Sequence, residues 1–350
     1  MESASLLPLS LNDLKERLCA LPPYRAEQIY KWITRGAVSF EQMTDIPKPL
    51  QKELSGSFKI FSGKITGCNE DNYAKKAVIA LEDNVKIESV LLKDGKERFT
   101  ACLSVQAGCP ARCVFCKTGS IGFKRNLESR EIIEQYLHLL SLTPQKQKSA
   151  HVIGNIVIMG IGEPLLNLYN LKKAIDIFTD PNGINFSRRR ITVSTCGICG
   201  GLEDIAKNGP FVRIALSLTT ADETLRARLM PVTKSNPLPR IKKSLSVFQK
   251  NGGGRITLEV PLLSGINTRE QDAESIFEFA KGLVTVVNII PWNPVEGLEF
   301  NGKPLREPDS NEVKNFISML ESRKLKVTMR RHKGRKVSGA CGQLGEISGE

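Results

Sequence analysis

The sequence predicts an α/β fold in which a partial (β/α)6 barrel follows a small N-terminal helical accessory domain. Apolar strand-like runs alternate with amphipathic helical patterns over residues 96–330, and the first 60 residues are mostly helical in pattern. Six successive strand-and-helix units imply a parallel sheet, and that number favours a partial barrel over an open doubly wound sheet. In either architecture, ligands bind at the carboxyl ends of the strands.

The accessory domain is predicted at residues 1–60 from the amphipathic segments LNDLKERLCAL, RAEQIYKWI and SFEQMTDIPKPLQKEL. A β-rich connecting segment at residues 61–95 contains KAVIALE and KIESVLL, whose alternating pattern fits antiparallel strands. The barrel core is placed at residues 96–330, with the strands TACLSVQ, HVIGNIVIMG, RITVST, FVRIALSL, ITLEVPLL and VTVVNIIP. Residues 331–350 are predicted to form a C-terminal tail.

The chain is basic, with 50 Lys and Arg against 37 Asp and Glu and a formal net charge of +13. Such an excess attracts polyanions and favours a nucleic-acid partner, with a solvated basic surface as the alternative. The basic run MRRHKGRKVSG, residues 329–339, lies just before Cys341 and could hold a phosphate backbone near a thiol. No apolar run reaches the roughly 18 residues of a membrane helix and no export signal is present, so we expect a cytoplasmic protein.

Three of the nine cysteines form a CxxxCxxC motif in GCPARCVFCK, directly after the first barrel strand. Thiolates this close can hold three irons of a cubane 4Fe-4S cluster, because iron in such clusters favours sulfur ligands. The fourth iron then remains open to a substrate. A zinc site that lacks its fourth ligand and unrelated thiols are the alternatives. The motif consists of Cys109, Cys113 and Cys116.

Polar and glycine-rich loops follow three later barrel strands. GIGEP offers the close backbone approach of Gly162 and the carboxylate of Glu163, which can accept a hydrogen bond from an amino group. STCG offers the hydroxyl of Ser194, and WNP offers the amide of Asn293. Each loop alone is a weak signal, but their order at successive strand ends predicts one ligand site.

The cysteine motif, with Phe115 before its last cysteine, resembles the signature of radical S-adenosylmethionine (SAM) enzymes. Further segments resemble RlmN/Cfr-type radical SAM RNA methyltransferases, which modify an adenine of 23S rRNA and of certain tRNAs at carbon 2. A sister group of that family acts at carbon 8 of the same rRNA adenine. The matching segments, spread over nearly the whole chain, are PPYRAEQIYKWI, CLSVQAGCPARCVFCKTG, GFKRNL, GIGEP, SRRRITVSTCGI, RLMPV, IPWNP and ACGQL.

The resemblance implies a radical SAM partial barrel, a 4Fe-4S cluster on the three motif cysteines, and SAM as the second cofactor. It implies an RNA partner, namely 23S rRNA with tRNA as a further candidate, and an RNA-binding role for the N-terminal domain. An electron donor such as flavodoxin and a monomeric state are also expected. The residues implied in SAM binding are Gly162, Glu163, Ser194, Ser217, Leu218, Thr219 and Asn293.

The resemblance also assigns three residues to catalysis. Cys341 in ACGQL matches the cysteine that carries the methyl group, and Cys102 matches the cysteine that forms a transient disulfide with it. Glu88 in IESV matches the family's proton acceptor, although one extra residue separates it from Cys102. Carbon 2 of adenine is electron-poor and has no acidic proton, so a methyl group cannot be added there by simple displacement.

The sequence departs from the family in two places. The segment after the fourth strand is SLTT instead of SLHA, so Thr219 replaces a histidine that helps to frame SAM. The residues before Cys341 read RKVSG, where the family is usually acidic. Carbon-8 methylation and a noncatalytic iron-sulfur RNA-binding protein stay open as alternatives. Cys196 and Cys199 form an isolated CxxC without an assigned role.

Overall fold

The structure, a computed structural model, describes residues 4–6, 10–95, 98–144, 152–329 and 333–345. The predicted basic run is therefore described only in part, since residues 330–332 lie outside these ranges. The predicted fold class is confirmed, because parallel strands alternate with helices behind a helical N-terminal region. No helix in the described ranges has the length and apolar character needed to cross a membrane.

The N-terminal region is mainly helical. Its first helix, α1 (Leu11–Arg17), begins with a capping box in which Ser10 Oγ accepts from the Asp13 backbone N–H and the Asp13 carboxylate accepts from Ser10 N–H. Tyr30 donates its hydroxyl to the Asp180 carboxylate at 2.8 Å, which joins this region to the barrel. The elements are β1 (Ala4–Ser5), α1 (Leu11–Arg17), α2 (Pro23–Thr34), α3 (Lys48–Ser57) and β2 (Phe58–Lys59).

Three antiparallel strands come next and extend the barrel sheet at one edge. They are β3 (Lys64–Glu70), β4 (Ala74–Ala80) and β5 (Lys86–Asp94). β5 pairs antiparallel with β6 (Arg98–Cys102), the first barrel strand, and this register places Val90 opposite Cys102. Glu88 is two residues from Val90, so it points to the same face of the sheet as Cys102.

A hairpin and a buried helix separate β6 from the next barrel strand. The hairpin consists of β7 (Gln106–Gly108) and β8 (Phe123–Asn126), and its connection contains the short helix α4 (Lys117–Ser120). α5 (Ser129–Ser141) then contributes Ile133 and Leu137 to the apolar contact with the N-terminal region. One hydrophobic core therefore runs from the N-terminal helices into the barrel.

The rest of the barrel repeats the strand-and-helix unit. The elements are β9 (Ile153–Ile158), α6 (Leu168–Thr179), β10 (Ile191–Thr195), α7 (Cys199–Asn208), β11 (Arg213–Ser217), α8 (Glu223–Leu229), α9 (Leu238–Lys250), β12 (Ile256–Leu262), α10 (Glu270–Ala280), β13 (Thr285–Pro291), β14 (Glu299–Phe300), β15 (Lys303–Pro304), α11 (Ser310–Ser322) and β16 (Val327–Met329). The sheet order is β16-β13-β12-β11-β10-β9-β6-β5-β4-β3, and every pair from β6 to β16 is parallel.

The parallel strands are apolar because both faces of the sheet are covered. Val193 of β10, Ala215 of β11 and Leu258 of β12 are fully excluded from solvent. Polar residues accumulate where these strands end, since the loops at the carboxyl edge leave the core. This edge of the sheet holds the candidate site.

Candidate active site

A pocket at the carboxyl ends of the parallel strands brings together most of the residues predicted from the sequence. It has a volume of about 1030 Å³ when its open mouth is included. The predicted residues that line it are Cys109, Cys113, Cys116, Gly162, Glu163, Ser194, Ser217, Asn293 and Cys341.

The three motif cysteines lie on the connection between β7 and β8, residues 109–122, here called the cysteine loop. The loop closes where Cys109 N–H donates to Gly122 O at 2.8 Å. Gly108 has a φ of +78°, and a Cβ atom there would lie 1.9 Å from the Gly122 carbonyl oxygen. Only glycine fits at that close approach. Local backbone geometry therefore presents the three thiols to the pocket.

Burial changes the acidity of these thiols. It raises the pKa of Cys109 to about 12, and it raises the pKa of Cys113 well above its usual value. The thiols are thus protonated at neutral pH in the apoprotein. Because a metal cluster binds thiolates, its assembly must release these protons.

Glu163 is held rigidly at the pocket. It follows β9, and its carboxylate accepts from Leu165 N–H at 3.0 Å, from Thr195 Oγ1 at 2.7 Å and from Cys196 N–H at 2.7 Å. Burial nevertheless raises the pKa of this carboxyl group. A carboxylate has about four acceptor positions, so one remains for a donor in the pocket.

Two serines at neighbouring strand ends face each other, while the residues after the second one do not reach the pocket. Ser194 Oγ and Ser217 Oγ lie 3.3 Å apart, at the ends of β10 and β11. Leu218 and Thr219 are completely buried and are not among the residues that line the pocket. Thr219 has a φ of +64°, and its hydroxyl has no hydrogen-bond partner among the described residues. The structure therefore brings five of the seven predicted SAM residues together and leaves these two behind the pocket.

The tail returns to the site and lies across the cysteine loop. Asn293 Nδ2 donates to Cys341 O at 3.0 Å, and the Lys117 backbone N–H donates to Gly342 O at 2.8 Å. Thr118 Oγ1 donates to Leu344 O at 2.7 Å. These bonds fix the position of Cys341. The amide of Asn293, predicted to bind SAM, is used at least in part to hold the tail.

Cys102 and Cys341 line a second, smaller pocket next to the first. Its volume is about 480 Å³ with its mouth included. Met159, Ile290 and Asn293 line both pockets, as Cys341 does. Cys341 therefore lies on the boundary between the pocket of the motif cysteines and the pocket of Cys102.

Glu88 lies beneath the tail and lines neither pocket. Its carboxylate is completely buried, with Oε1 2.8 Å from Lys76 Nζ and Oε2 accepting from Gly345 N–H at 2.5 Å. The structure thus places Glu88 near the segment that carries Cys341, but turned toward an ion pair and a backbone donor.

Comparisons with known proteins define the family. Residues 103–280 match the family described as Radical SAM superfamily, and residues 5–60 match the Ribosomal RNA large subunit methyltransferase N-terminal domain. A probable dual-specificity RNA methyltransferase RlmN from Treponema denticola is 47% identical over 97% of this chain and 93% of that protein. The chain belongs to the RlmN family of radical SAM RNA methyltransferases.

A second related protein and a crystal structure are similar to this chain over nearly its whole length. A probable dual-specificity RNA methyltransferase RlmN from Treponema pallidum is 40% identical over the full length of both proteins. The crystal structure of a radical SAM methyltransferase from Sphaerobacter thermophilus superposes with a TM-score of 0.90 at 32% identity, covering 97% of this chain and 99% of that one. The structural likeness to that methyltransferase therefore extends beyond the barrel to nearly the whole chain.

As a radical SAM enzyme of the RlmN family, the protein uses a 4Fe-4S cluster and SAM as cofactors. The pocket offers groups that suit both, because soft thiols lie beside a carboxylate and two hydroxyls. Within the described ranges, no group of three Cys, His, Asp or Glu side chains is arranged to bind one and the same metal ion. A cubane needs a different arrangement, since each thiolate binds its own iron.

The RlmN-type pocket also contains two residues with reactive or charged side chains to which the sequence assigned no role. They are Cys196 and Glu259 of β12, whereas Cys199 is buried in the core. Glu259 lies inside an apolar strand, and a lone carboxylate in such a run is a signal that could have marked it. Its Oε2 accepts from Asn288 Nδ2 at 2.9 Å.

Proposed function

We propose that the protein adds a methyl group to carbon 2 of an adenine in 23S rRNA, and in tRNA, with the methyl group carried on Cys341. The observation that carries this proposal is the position of Cys341 between two pockets. One pocket contains the three motif cysteines, and the other contains Cys102. A methyl-carrying cysteine needs this arrangement. It receives the methyl carbon in one pocket, and in the other pocket a second thiol releases it from the covalent adduct with RNA.

We assign the cluster to Cys109, Cys113 and Cys116 and the SAM site to the strand ends around them. Gly162 allows close backbone approach, and Glu163 and the two serines offer acceptors for the amino and ribose groups of SAM. Leu218 and Thr219 contribute from behind the pocket, by fixing the backbone that follows Ser217. Asn293 orients both the ligand and the tail.

Two cysteines of the chain, Cys341 and Cys102, handle the methyl carbon during its transfer to the adenine. The bound cluster and SAM supply the radical chemistry that activates a methyl group. The Cys341 thiolate takes a methyl group from SAM by displacement, and the activated carbon joins carbon 2 of the adenine to give a covalent protein–RNA adduct. The Cys102 thiolate attacks the Cys341 sulfur, and a disulfide forms. The electron pair of the broken sulfur–carbon bond stays on the carbon attached to the adenine, which takes up a proton and becomes the methyl group. The common pocket of the two thiols supports this step.

Glu88 is the proposed proton acceptor for the adduct. In the described arrangement its carboxylate is covered by the tail and bonded to Gly345 N–H. The proton can therefore reach Glu88 only when this end of the tail moves. Tail movement would also open the space that the RNA needs, because an adenine must leave its stack to reach the pocket.

The proposal also includes the domain organisation of the chain, its electron donor and its oligomeric state. Residues 1–60 are proposed as an RNA-binding accessory domain, followed by a connecting segment at 61–95, the barrel at 96–330 and the tail at 331–350. An electron donor such as flavodoxin would reduce the cluster, and the enzyme would act as a monomer. The common pocket of Cys102 and Cys341 argues against a noncatalytic iron-sulfur protein, because a structural cluster needs neither thiol.

Mass spectrometry of adenosines from 23S rRNA and tRNA tests this function. We expect 2-methyladenosine to disappear from cells that lack the protein and to return with the wild-type chain but not with Cys341→Ala. Cys68→Ser, at an exposed position on β3, is the matched control and should restore the mark. Loss of 8-methyladenosine instead would identify the carbon-8 reaction. Restoration of the mark by Cys341→Ala would refute the methyl-carrier mechanism.

A further inference from the structure

Arg226 is a buried arginine that the proposed mechanism does not use. It lies in α8, and its side chain is completely excluded from solvent. It is also the largest of the fully buried side chains in the described part of the chain. Burial lowers the pKa of its guanidinium group. Arginine starts so far above neutrality that it remains charged in proteins.

The hydrogen bonds of Arg226 satisfy its donors but do not neutralise its charge. Nε donates to Leu218 O at 3.0 Å, and Nη1 donates to Thr233 Oγ1 at 2.7 Å. Nη2 donates to Cys196 O at 2.7 Å and to Ser217 O at 3.1 Å. Every one of these acceptors is neutral. Among the described residues, no carboxylate lies within ion-pair distance of this guanidinium. Glu223, one turn earlier in the same helix, acts on it only from a distance and is exposed to solvent.

The position of this charge is next to the cysteine loop. Val114 N–H donates to Leu229 O at 3.0 Å, so the loop is bonded to the same helix that carries Arg226. Leu229 packs in one apolar cluster with Cys109 and Cys113. Cys196, whose carbonyl oxygen accepts from Arg226, lines the pocket beside the motif cysteines. The guanidinium thus lies directly behind the wall of the proposed cluster site.

A buried charge without a counter-charge is costly, and folded proteins rarely keep one. A cubane cluster held by three thiolates carries a net negative charge, which increases when the cluster accepts an electron. Such a cluster would therefore supply the missing counter-charge. The attraction acts through a medium of low dielectric constant, where Coulomb interactions are strong.

We propose that Arg226 is the counter-charge of the 4Fe-4S cluster and raises its reduction potential. This inference rests on the proposed assignment of the cluster to Cys109, Cys113 and Cys116. Arg226 is a positioning residue by this account, since it touches neither substrate nor cofactor. Its charge stabilises the reduced cluster more than the oxidised one, so the electron from the external donor is accepted more readily.

The test is an EPR-monitored redox titration of the cluster-loaded protein, without RNA, under anaerobic conditions. Arg226→Gln removes the charge, and we expect its equilibrium constant for reduction to fall at least tenfold, which is about 59 mV for a one-electron couple. Arg226→Lys keeps the charge and should retain most of the potential. Arg228→Gln is the matched control, because Arg228 lies in the same helix but is exposed and bonded to Asn301.

A second variant covers the case in which loss of Arg226 prevents folding. Thr233→Asp keeps the guanidinium and its bond to position 233 but adds a carboxylate that cancels its charge. We expect this variant to fold, to bind iron and to show the same lowered potential. An unchanged potential in iron-loaded Thr233→Asp would overturn the inference and leave the proposed function intact. Absence of a cluster in the wild-type protein after reconstitution would instead refute the cluster assignment, and with it the inference.

Discussion

Lys76 Nζ lies 2.8 Å from Glu88 Oε1, and the two side chains are 2% and 0% exposed. The other oxygen of Glu88 accepts from Gly345 N–H. A buried ion pair on β4 and β5 is therefore bonded directly to the segment that carries Cys341. Glu88 therefore holds both the buried lysine and the end of the tail.

Lys76→Met is expected to lower the free energy of unfolding by about 3–5 kcal/mol, because it leaves Glu88 buried without its counter-charge. Urea unfolding measures this loss. The double variant Lys76→Met, Glu88→Gln should recover part of it, since no isolated charge then remains. Lys75→Met is the surface control, and its pair with Glu70 is worth at most about 1 kcal/mol. A single Lys76→Met variant as stable as wild type would contradict the importance of the pair.

Cys102→Ala is expected to trap the protein–RNA adduct, because the thiol that would release Cys341 is then missing. The two cysteines line the same pocket, which is what a direct attack of one sulfur on the other requires. Denaturing gel electrophoresis followed by mass spectrometry should show RNA covalently bound through Cys341. Cys68→Ser should turn over normally, since Cys68 is exposed on β3. Full turnover by Cys102→Ala would exclude the disulfide step.

Gly108→Ala is expected to prevent closure of the cysteine loop. The added Cβ would lie 1.9 Å from Gly122 O, which is a backbone atom that cannot move aside without opening the hairpin. Iron content after reconstitution should fall severalfold.

Gly122→Ala is the matched control for this loop. Gly122 has the same φ of +78°, but a Cβ atom there meets nothing within 4 Å. Only backbone strain of about 1 kcal/mol is then introduced, and the cluster should load normally. Equal iron loss in both variants would show that strain, and not the clash, disturbs the loop.

The sequence was sufficient to predict which segments form the barrel strands, because most of them are continuous apolar runs followed by an amphipathic helix. The strand-end loops could also be predicted, since their motifs lie where parallel strands end. The cysteine motif was recognised from its spacing, but the antiparallel hairpin of β7 and β8 that carries it was not predicted. The ion pair of Glu88 could not, because it depends on the antiparallel register of β4 with β5, in which Val78 and Glu88 are partners and Lys76 is on the same face. The turn between the two strands sets this register, and neither strand by itself indicates which side chains meet across the pair.

The position of the Thr219 side chain is a second feature that the sequence motif did not reveal. Its motif position suggests contact with SAM, yet the chain turns there with a φ of +64° and the side chain faces the core. That turn is fixed by tertiary bonds, since Thr219 N–H donates to Glu259 O and Thr219 O accepts from Asn267 Nδ2. Both partners are distant in the chain, so a motif alone could not indicate which atoms reach the pocket.

The Glu163→Gln variant tests how the contribution of Glu163 to stability changes with pH. Burial raises the pKa of Glu163 above its ordinary value of 4.5, so the native state holds this proton more tightly than the unfolded state. The stability that the group contributes is therefore fully present below that value and is lost as the pH rises through the folded-state pKa. The quantity to measure is the unfolding free energy of wild type minus that of Glu163→Gln. We expect it to decrease as the pH rises above 4.5.

Two comparisons make this pH dependence specific. Glu203→Gln should give the opposite sign, because hydrogen bonding to Arg240 lowers the pKa of Glu203. Saturating SAM should weaken or reverse the slope for Glu163, since an ammonium group near the carboxylate favours its charged form. If SAM leaves the slope unchanged, Glu163 does not bind the amino group of SAM, and its carboxylate serves only to hold the loop through Thr195 and Cys196.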